Sequence, residues 1–238
     1  MNLLLLRPDE LDGSVAELDE RRSAHVRDVL GAEPGARLRA GVERGPTGEA
    51  EVLSVHGAVQ VRFEATGSAP VEPRVDLVLA LPRPKVLSRI IEHAASFAVG
   101  RIDLINAWRV DKSYFDSPRA GSEALAAGAR LGCEQGRHTW VPELTVHQRF
   151  MTWIETLPAS AERVRLVAHP GTGATVADCN YGARRVVVAI GPEGGWIDRE
   201  LATFERLSFD RVVLSSRVLR SEVAVSAALA QLEMTLGQ

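Results

Sequence analysis

Residues 185–196 read Arg185-Val186-Val187-Val188-Ala189-Ile190-Gly191-Pro192-Glu193-Gly194-Gly195-Trp196, and this stretch decides the fold class. Its first half is a continuous β-branched and apolar run without polar alternation, the pattern of a strand covered on both faces in a parallel sheet. Its second half stops the strand in a glycine- and proline-rich turn. In parallel α/β sheets ligands sit outside the carboxyl ends of the strands, so such turns are where a site is expected. Two other apolar runs end in comparable loops. Leu166-Val167-Ala168 leads into His169-Pro170-Gly171-Thr172-Gly173, and Val212-Val213-Leu214 leads into Ser215-Ser216-Arg217-Val218-Leu219-Arg220-Ser221-Glu222.

Working outward, apolar segments at 75–81, 102–105, 144–146, 164–168 and 211–214 predict further strands, with helical patterns between them. The first helix is predicted over 84–99, with Leu87, Ile90, Ile91, Ala94 and Ala98 on one face and Gly100 as its C-cap. Ser117-Pro118 is expected to open the next helix, with Ser as N-cap and Pro at its first position. A helix is expected near 151–157, another capped by Asp198 and reaching Leu207, and a last one over 221–236. This alternation predicts an α/β domain over 74–238 with a parallel sheet covered on both faces. Residues 1–70 read differently. Short apolar segments at 36–42, 50–55 and 59–65, separated by Gly45-Pro46-Thr47-Gly48 and Gly57, predict a small β-barrel-like module. A short helix over 21–30 is expected to turn Ala24, Val26, Val29 and Leu30 inward. The segment 67–73, with two prolines and small residues, reads as the linker.

The composition is that of a globular protein, with 45% apolar and 25% charged residues. No apolar run approaches the roughly 20 residues a membrane span needs. Met1 to Leu6 is apolar but is stopped by Arg7, Pro8, Asp9 and Glu10, and is expected to be a first strand rather than an export signal. Two cysteines, Cys133 and Cys179, in unrelated contexts argue against a disulfide framework and for a cytoplasmic setting. Six histidines without a close pair give no expectation of a metal site. The formal charge of −3, its acidic excess lying in the first 70 residues, lacks the basic footprint of many nucleic-acid binders. Of 28 basic residues only Lys85 and Lys112 are lysines, and arginine suits bidentate phosphate contacts and base stacking.

Each of the three loops alone reads equally as a tight turn, a strand end or, for Arg220 and Glu222, a structural ion pair at a helix start. Together they say more. Glycines at a strand end let backbone groups approach a flat ligand, and Pro192 stiffens that loop. Val218 and Leu219, between Arg217 and Arg220, offer an apolar and backbone wall to an adenine. The residues alone reach as far as a nucleotide-like ligand. No Gly-x-Ser-x-Gly nucleophile elbow is present, which removes one route to a hydrolase.

The pairing of GPEGG at 191–195 with LSSRVLRSE at 214–222 resembles the bacterial small-subunit rRNA uracil-N3 methyltransferases of the SPOUT superfamily. Ala24 to Leu30 (AHVRDVL) before Gly35, Lys85, and Cys133-Glu134-Gln135-Gly136-Arg137 ahead of Val141-Pro142-Glu143 agree, so the resemblance spans nearly the whole chain. It departs where the family usually closes the first long helix with Glu-Leu-Gly-Val, here Ser96-Phe97-Ala98-Val99-Gly100. It departs again after Glu222, where Val223-Ala224 replaces the common Thr-Ala.

The resemblance implies a PUA-like, RNA-binding β-barrel over 1–70 and a SPOUT domain with a deep trefoil knot over 74–238. It implies S-adenosylmethionine as cofactor, held by Val167, His169, Pro170 and Gly171, by Ile190, Gly191, Pro192, Glu193, Gly194 and Gly195, and by Leu214, Ser215, Val218 and Leu219. It implies N3 methylation of a uridine in ribosomal RNA, within the small subunit. Arg220 would stabilise charge on the base, and Glu222 would remove a proton or orient Arg220. Arg21, Arg22, Arg27, Arg109, Lys112, Arg119 and Arg137 are candidates for RNA contact, and Trp108, Tyr114 or Phe115 for stacking on an extruded base. A homodimer with the last helix near the interface is expected, and neither a membrane nor a metal partner. Ribose 2′-O methylation of another RNA, and a silent RNA-binding protein of the same fold, remain alternatives.

Overall fold

The computed structural model describes residues 2–157 and 162–237. The first module contains β1 (Leu4–Leu6), β2 (Leu11–Asp12), β3 (Val15–Glu17), β4 (Arg37–Val42), β5 (Thr47–Ser54) and β6 (Gln60–Ala65). They form one curled sheet in the order β1-β4-β5-β6-β3-β2, antiparallel except where β1 runs beside β4. The turn after β4 forms where Gly45 and Pro46 required it.

The second module contains β7 (Val75–Ala80), β8 (Arg101–Ile105), β9 (Glu143–His147), β10 (Arg163–Ala168), β11 (Arg185–Ile190) and β12 (Phe209–Val212). All pair in parallel, in the order β12-β10-β11-β7-β8-β9. The non-sequential order brings the carboxyl ends of β10, β11 and β12 side by side, and those are the three strands whose loops stood out.

Helix α1 (Glu20–Ala24) belongs to the first module. The second module carries α2 (Pro84–Ser96), α3 (Ser122–Gly136), α4 (Phe150–Ile154), α5 (Asp198–Arg206) and α6 (Ser221–Leu236). As its spacing predicts, α2 buries Leu87, Ile90, Ile91 and Ala94.

Several local expectations are corrected. The segment 21–30 is not one α-helix: α1 passes into a π-helical turn, His25–Val29, closed by Leu30 N–H to His25 O. The i→i+5 bond breaks the 3.6-residue register. Val26 is therefore buried, but Val29 and Leu30 face solvent. The left-handed residue after α2 is Ala98, at φ 54°, and not Gly100. Ser117 caps only a 3-10 turn, Pro118–Ala120, before α3 begins. Asp198 is the first residue of α5 and Ile197 is its N-cap, because Glu200 reaches back to the Ile197 N–H at 2.9 Å. The end of the helix expected near 151–157 lies at Ile154.

The two modules are stitched by β1. Leu4 and Leu6 enter the core of the curled sheet, while Leu3 and Leu5 enter the core of the parallel-sheet module. One strand thus feeds two cores through its period-two alternation. Polar contacts lock the seam. Arg21 makes two hydrogen bonds to the buried Glu134 at 2.8 and 2.9 Å. Arg44 stacks over Trp140 at 4.7 Å and donates to Val141 O, and Arg130 pairs with Glu43. Residues 66–74, which hold the expected linker, carry no helix or strand. Among the described residues no helix is long and apolar enough to cross a membrane, and no cluster of three or more His, Cys, Asp or Glu residues is placed to hold a metal ion.

Candidate functional site

The three loops converge on one cleft of about 300 Å³ at the carboxyl edge of the sheet. Main-chain and side-chain bonds hold them together. His169 N–H donates to Val212 O at 3.1 Å, tying the loop after β10 to β12. Val213 N–H donates to Ala174 O at 2.9 Å, and Leu214 O accepts from Gln231 Nε2 of α6 at 2.9 Å. Ser221 Oγ donates to Gly191 O at 3.4 Å, tying the start of α6 to the loop after β11. The site is therefore built on rigid elements rather than suspended from them.

The loop after β11 takes its shape from its glycines. Gly195 N–H closes a turn on Pro192 O at 2.8 Å with Gly195 at φ 73°, a left-handed conformation that a side chain would strain. A Cβ on Gly191 would lie 3.1 Å from the indole of Trp196, so the close approach of ring and backbone depends on that glycine. Ile190, Pro192, Leu214, Val218 and Leu219 give the cleft an apolar wall, and the intervening peptide groups give it donors and acceptors.

Of the sequence-predicted cofactor residues, His169, Pro170, the whole run from Ile190 to Gly195, Leu214, Ser215, Val218 and Leu219 line this cleft. Val167 and Gly171 do not. Val167 is fully buried inside β10, and Gly171 is exposed beyond the cleft rim. Arg220 and Glu222 are not in the lining either, although Leu219 and Ser221 beside them are. Arg220 is the exposed N-cap residue of α6. Among the described residues it makes no ion pair, so the structural Arg220–Glu222 pair considered from sequence is absent.

The lining also includes residues outside the expected cofactor set, among them Trp196, at the end of the loop after β11, and Arg109. Trp196 is buried against Phe204 of α5, ring centroids 4.9 Å apart. Arg109, from the loop after β8, donates to Gly194 O and lies across the glycine turn. That loop is fixed by the buried carboxylate of Glu200, which accepts from Trp108 N–H at 2.8 Å. The signal for Arg109 was its position just past a strand end; what the sequence lacks is the pairing of β7 with both β8 and β11, which brings the loops together.

The residues suit a nucleoside-bearing cofactor. The cleft joins an apolar wall to a glycine cradle, and two of its residues have buried ring nitrogens without hydrogen-bond partners, Nδ1 of His169 and Nε1 of Trp196. Unsatisfied buried polar atoms are costly and commonly mark where a ligand completes the site. Cysteine chemistry is remote from it: Cys133 lies in α3, and burial pushes its thiol up to about 12.

The predicted RNA contacts divide sharply. Arg22 is corrected: it is buried, 3% exposed, and held by Glu10 at 2.6 Å and Asp19 at 2.9 Å, so it cannot present its charge to RNA. Arg21 is spent on Glu134, and Arg27 donates to Gly57 O beside Glu20 and Asp28. Arg119 donates to Pro84 O. Lys112 and Arg137 are exposed and make no ion pair among the described residues. Tyr114 and Phe115 pack against the core, whereas Trp108 stands 76% exposed.

The family model described as RNA methyltransferase domain matches residues 70–233. The chain is similar to the Ribosomal RNA small subunit methyltransferase E of Treponema pallidum (strain Nichols), 29% identical over 244 residues, which covers 97% of this chain and 90% of that protein. The crystal structure of a Ribosomal RNA small subunit methyltransferase E from Neisseria gonorrhoeae, bound to S-adenosyl methionine, has a TM-score of 0.80 at 20% identity, covering 98% of this chain and 97% of that one. A probable rRNA-methyltransferase from Porphyromonas gingivalis gives 0.80 at 21% identity, covering 100% and 99%. Both structures share the two-module α/β fold.

Proposed function

We propose that this chain, which belongs to the RNA methyltransferase domain family, methylates N3 of a specific uridine in small-subunit ribosomal RNA with S-adenosylmethionine as donor. The observation that carries this reading is the convergence of three strand-end loops on one glycine-cradled cleft within the family-matched residues. The Treponema relative, named for small-subunit rRNA, and the Neisseria structure, bound to S-adenosyl methionine, support the substrate and cofactor.

Ile190 to Gly195 and Leu214 to Leu219 would hold the nucleoside of the cofactor between backbone and apolar wall, and His169 and Trp196 would supply polar contacts to it. When bound, the cofactor would supply an electrophilic methyl group on a sulfonium, with a neutral thioether as the leaving group. The chain's own work is then largely positioning. Uracil N3 carries a proton and attacks only once that proton is lost, leaving negative charge shared with the ring carbonyls. Arg220, exposed and without a carboxylate partner, is free to stabilise that charge. Glu222, the second residue of α6, accepts the proton or orients Arg220.

The modules at 1–70 and 74–238 act as RNA-binding and catalytic domains. The first contributes through Arg39, which shares a groove at the seam with Arg137. The pairing of Val213 with Thr175 and the tie from α6 to Leu214 favour a knotted path for the segment after β12. A cytoplasmic homodimer is part of the same reading; the exposed apolar Val218, Val223 and Met234 near and on α6 support an interface there. The test supplies labelled S-adenosylmethionine with small subunits and free rRNA lacking the modification, followed by nucleoside analysis. Label in 3-methyluridine is the expected result. Label in a ribose or another base overturns the N3 assignment, and cofactor binding without transfer overturns the choice of RNA.

A further inference from the structure

Beside the cofactor cleft lies a second groove of about 380 Å³, and its contents are not explained by cofactor binding. Its floor is Ala107, Val110, Phe150 and Ile197, and its most prominent feature is Trp108. A single exposed ring is ordinary, but exposed apolar side chains gathered in one groove mark an interaction site. Met151 of α4, in the same groove, is 44% exposed. The ring is not on a loose loop. Glu200 holds Trp108 by its backbone N–H, Asn106 N–H donates to His147 O at 3.0 Å, and Asn106 Nδ2 donates to Gln148 O at 3.1 Å. The platform is therefore set before any partner arrives, which lowers the cost of binding.

The charges around the groove favour an anionic occupant. Lys112 and Arg199 line it, both exposed and neither in an ion pair among the described residues. Its one carboxylate, Glu200, is buried and already accepts from Trp108 N–H and Ile197 N–H. Asp111, next to Lys112, is occupied by Ser113 N–H and Oγ–H. The groove adjoins the cleft through neighbouring residues of the chain. Trp108 lines the groove and Arg109 the cleft, while Ile197 lines the groove and Trp196 the cleft.

We infer that this groove is a docking subsite for an unpaired nucleobase of the substrate RNA, neighbouring the methylated uridine, with the base stacked on Trp108 and its phosphates taken by Lys112 and Arg199. The inference rests on the RNA-methyltransferase reading and adds a position outside the cofactor cleft to it. Stacking on an exposed aromatic with flanking cations is how single-stranded RNA is gripped with little sequence preference. The same loop gives the subsite a route to the chemistry, since a base seated on Trp108 bears on the segment that lays Arg109 over Gly194.

The test compares wild type, Trp108→Ala and Trp108→Phe in two assays: binding of fluorescein-labelled small-subunit rRNA without cofactor, and methyl transfer to small subunits. Trp108→Ala is expected to weaken RNA binding and raise KM for RNA by on the order of 10-fold or more, from the loss of one stacked base. It leaves kcat at saturating RNA and cofactor affinity within about twofold, and Trp108→Phe restores most of the loss because the stacking face returns. Unchanged RNA affinity in Trp108→Ala overturns the inference. So does a change of oligomeric state with RNA affinity intact, which assigns the groove to a second copy of the chain. Wild type that binds this RNA without methylating it contradicts the proposed function and leaves the binding comparison standing; wild type that binds no such RNA overturns both.

Discussion

Arg22 in the first module lies between Glu10 and Asp19 with almost no exposed surface, whereas Arg217 and Arg220 at the mouth of the cleft stand in solvent with no carboxylate partner among the described residues. Arg39 apart, which makes no ion pair among the described residues, the difference holds across the two regions. Arg7, Arg21, Arg27, Arg37 and Arg62 of the first module are also paired with carboxylates, and Arg44 is spent on Trp140 and Val141. Around the cleft and the adjoining groove, Lys112, Arg199, Arg217 and Arg220 are unpaired. A net charge of −3 therefore conceals two kinds of cation: those that hold the fold, and those left available to a polyanion. Counting arginines along the chain does not separate them; their partners do.

The largest effect that sharpens this comparison falls on folding. Arg22→Met removes the closest partner of Glu10, whose side chain is only 6% exposed, and leaves that buried carboxylate with Arg7 alone, through its Nε at 3.3 Å and its backbone N–H at 2.9 Å. A loss of about 3–5 kcal/mol in unfolding free energy is expected. Measured by urea denaturation, it should come with unchanged transfer activity below the transition. Retained stability with impaired RNA binding would break the division. Next in size is Arg220→Ala, where no fold-supporting contact is lost. It should lower kcat by roughly 10²–10³-fold, the usual consequence of deleting one group that stabilises developing charge. Cofactor affinity by calorimetry and the melting temperature should stay near wild type, and a fall in either would return Arg220 to a structural role.

The sheet and the cleft were legible for one reason. The apolar runs ending at Ala168 and Ile190, and the one leading into Leu214, each stop in residues that cannot continue a strand, and parallel pairing makes those ends neighbours. The strand limits of β7, β8, β10 and β11 differ from expectation by a residue at most. What stayed hidden depends on contacts between distant residues. Arg22 reads as a surface cation until Glu10 is seen beside it, twelve positions earlier in the chain. Arg109 enters the cleft because the loop after β8 is tied to α5 by Glu200, a carboxylate that alone suggests an exposed helix residue. The π-helical turn after α1 defeats periodicity outright, since its extra residue turns Val29 and Leu30 to solvent.

The most direct test of the division between fold-holding and RNA-facing cations is the salt dependence of rRNA binding in two double variants. Lys112→Gln with Arg199→Gln removes two unpaired cations beside the cleft; Arg27→Gln with Arg37→Gln removes two paired ones from the first module. The first pair should lower the slope of log K against log salt by about 1.4–1.8, the counterion release of two phosphate contacts, while the second leaves it unchanged. An unchanged slope in the first pair and a reduced one in the second would contradict it.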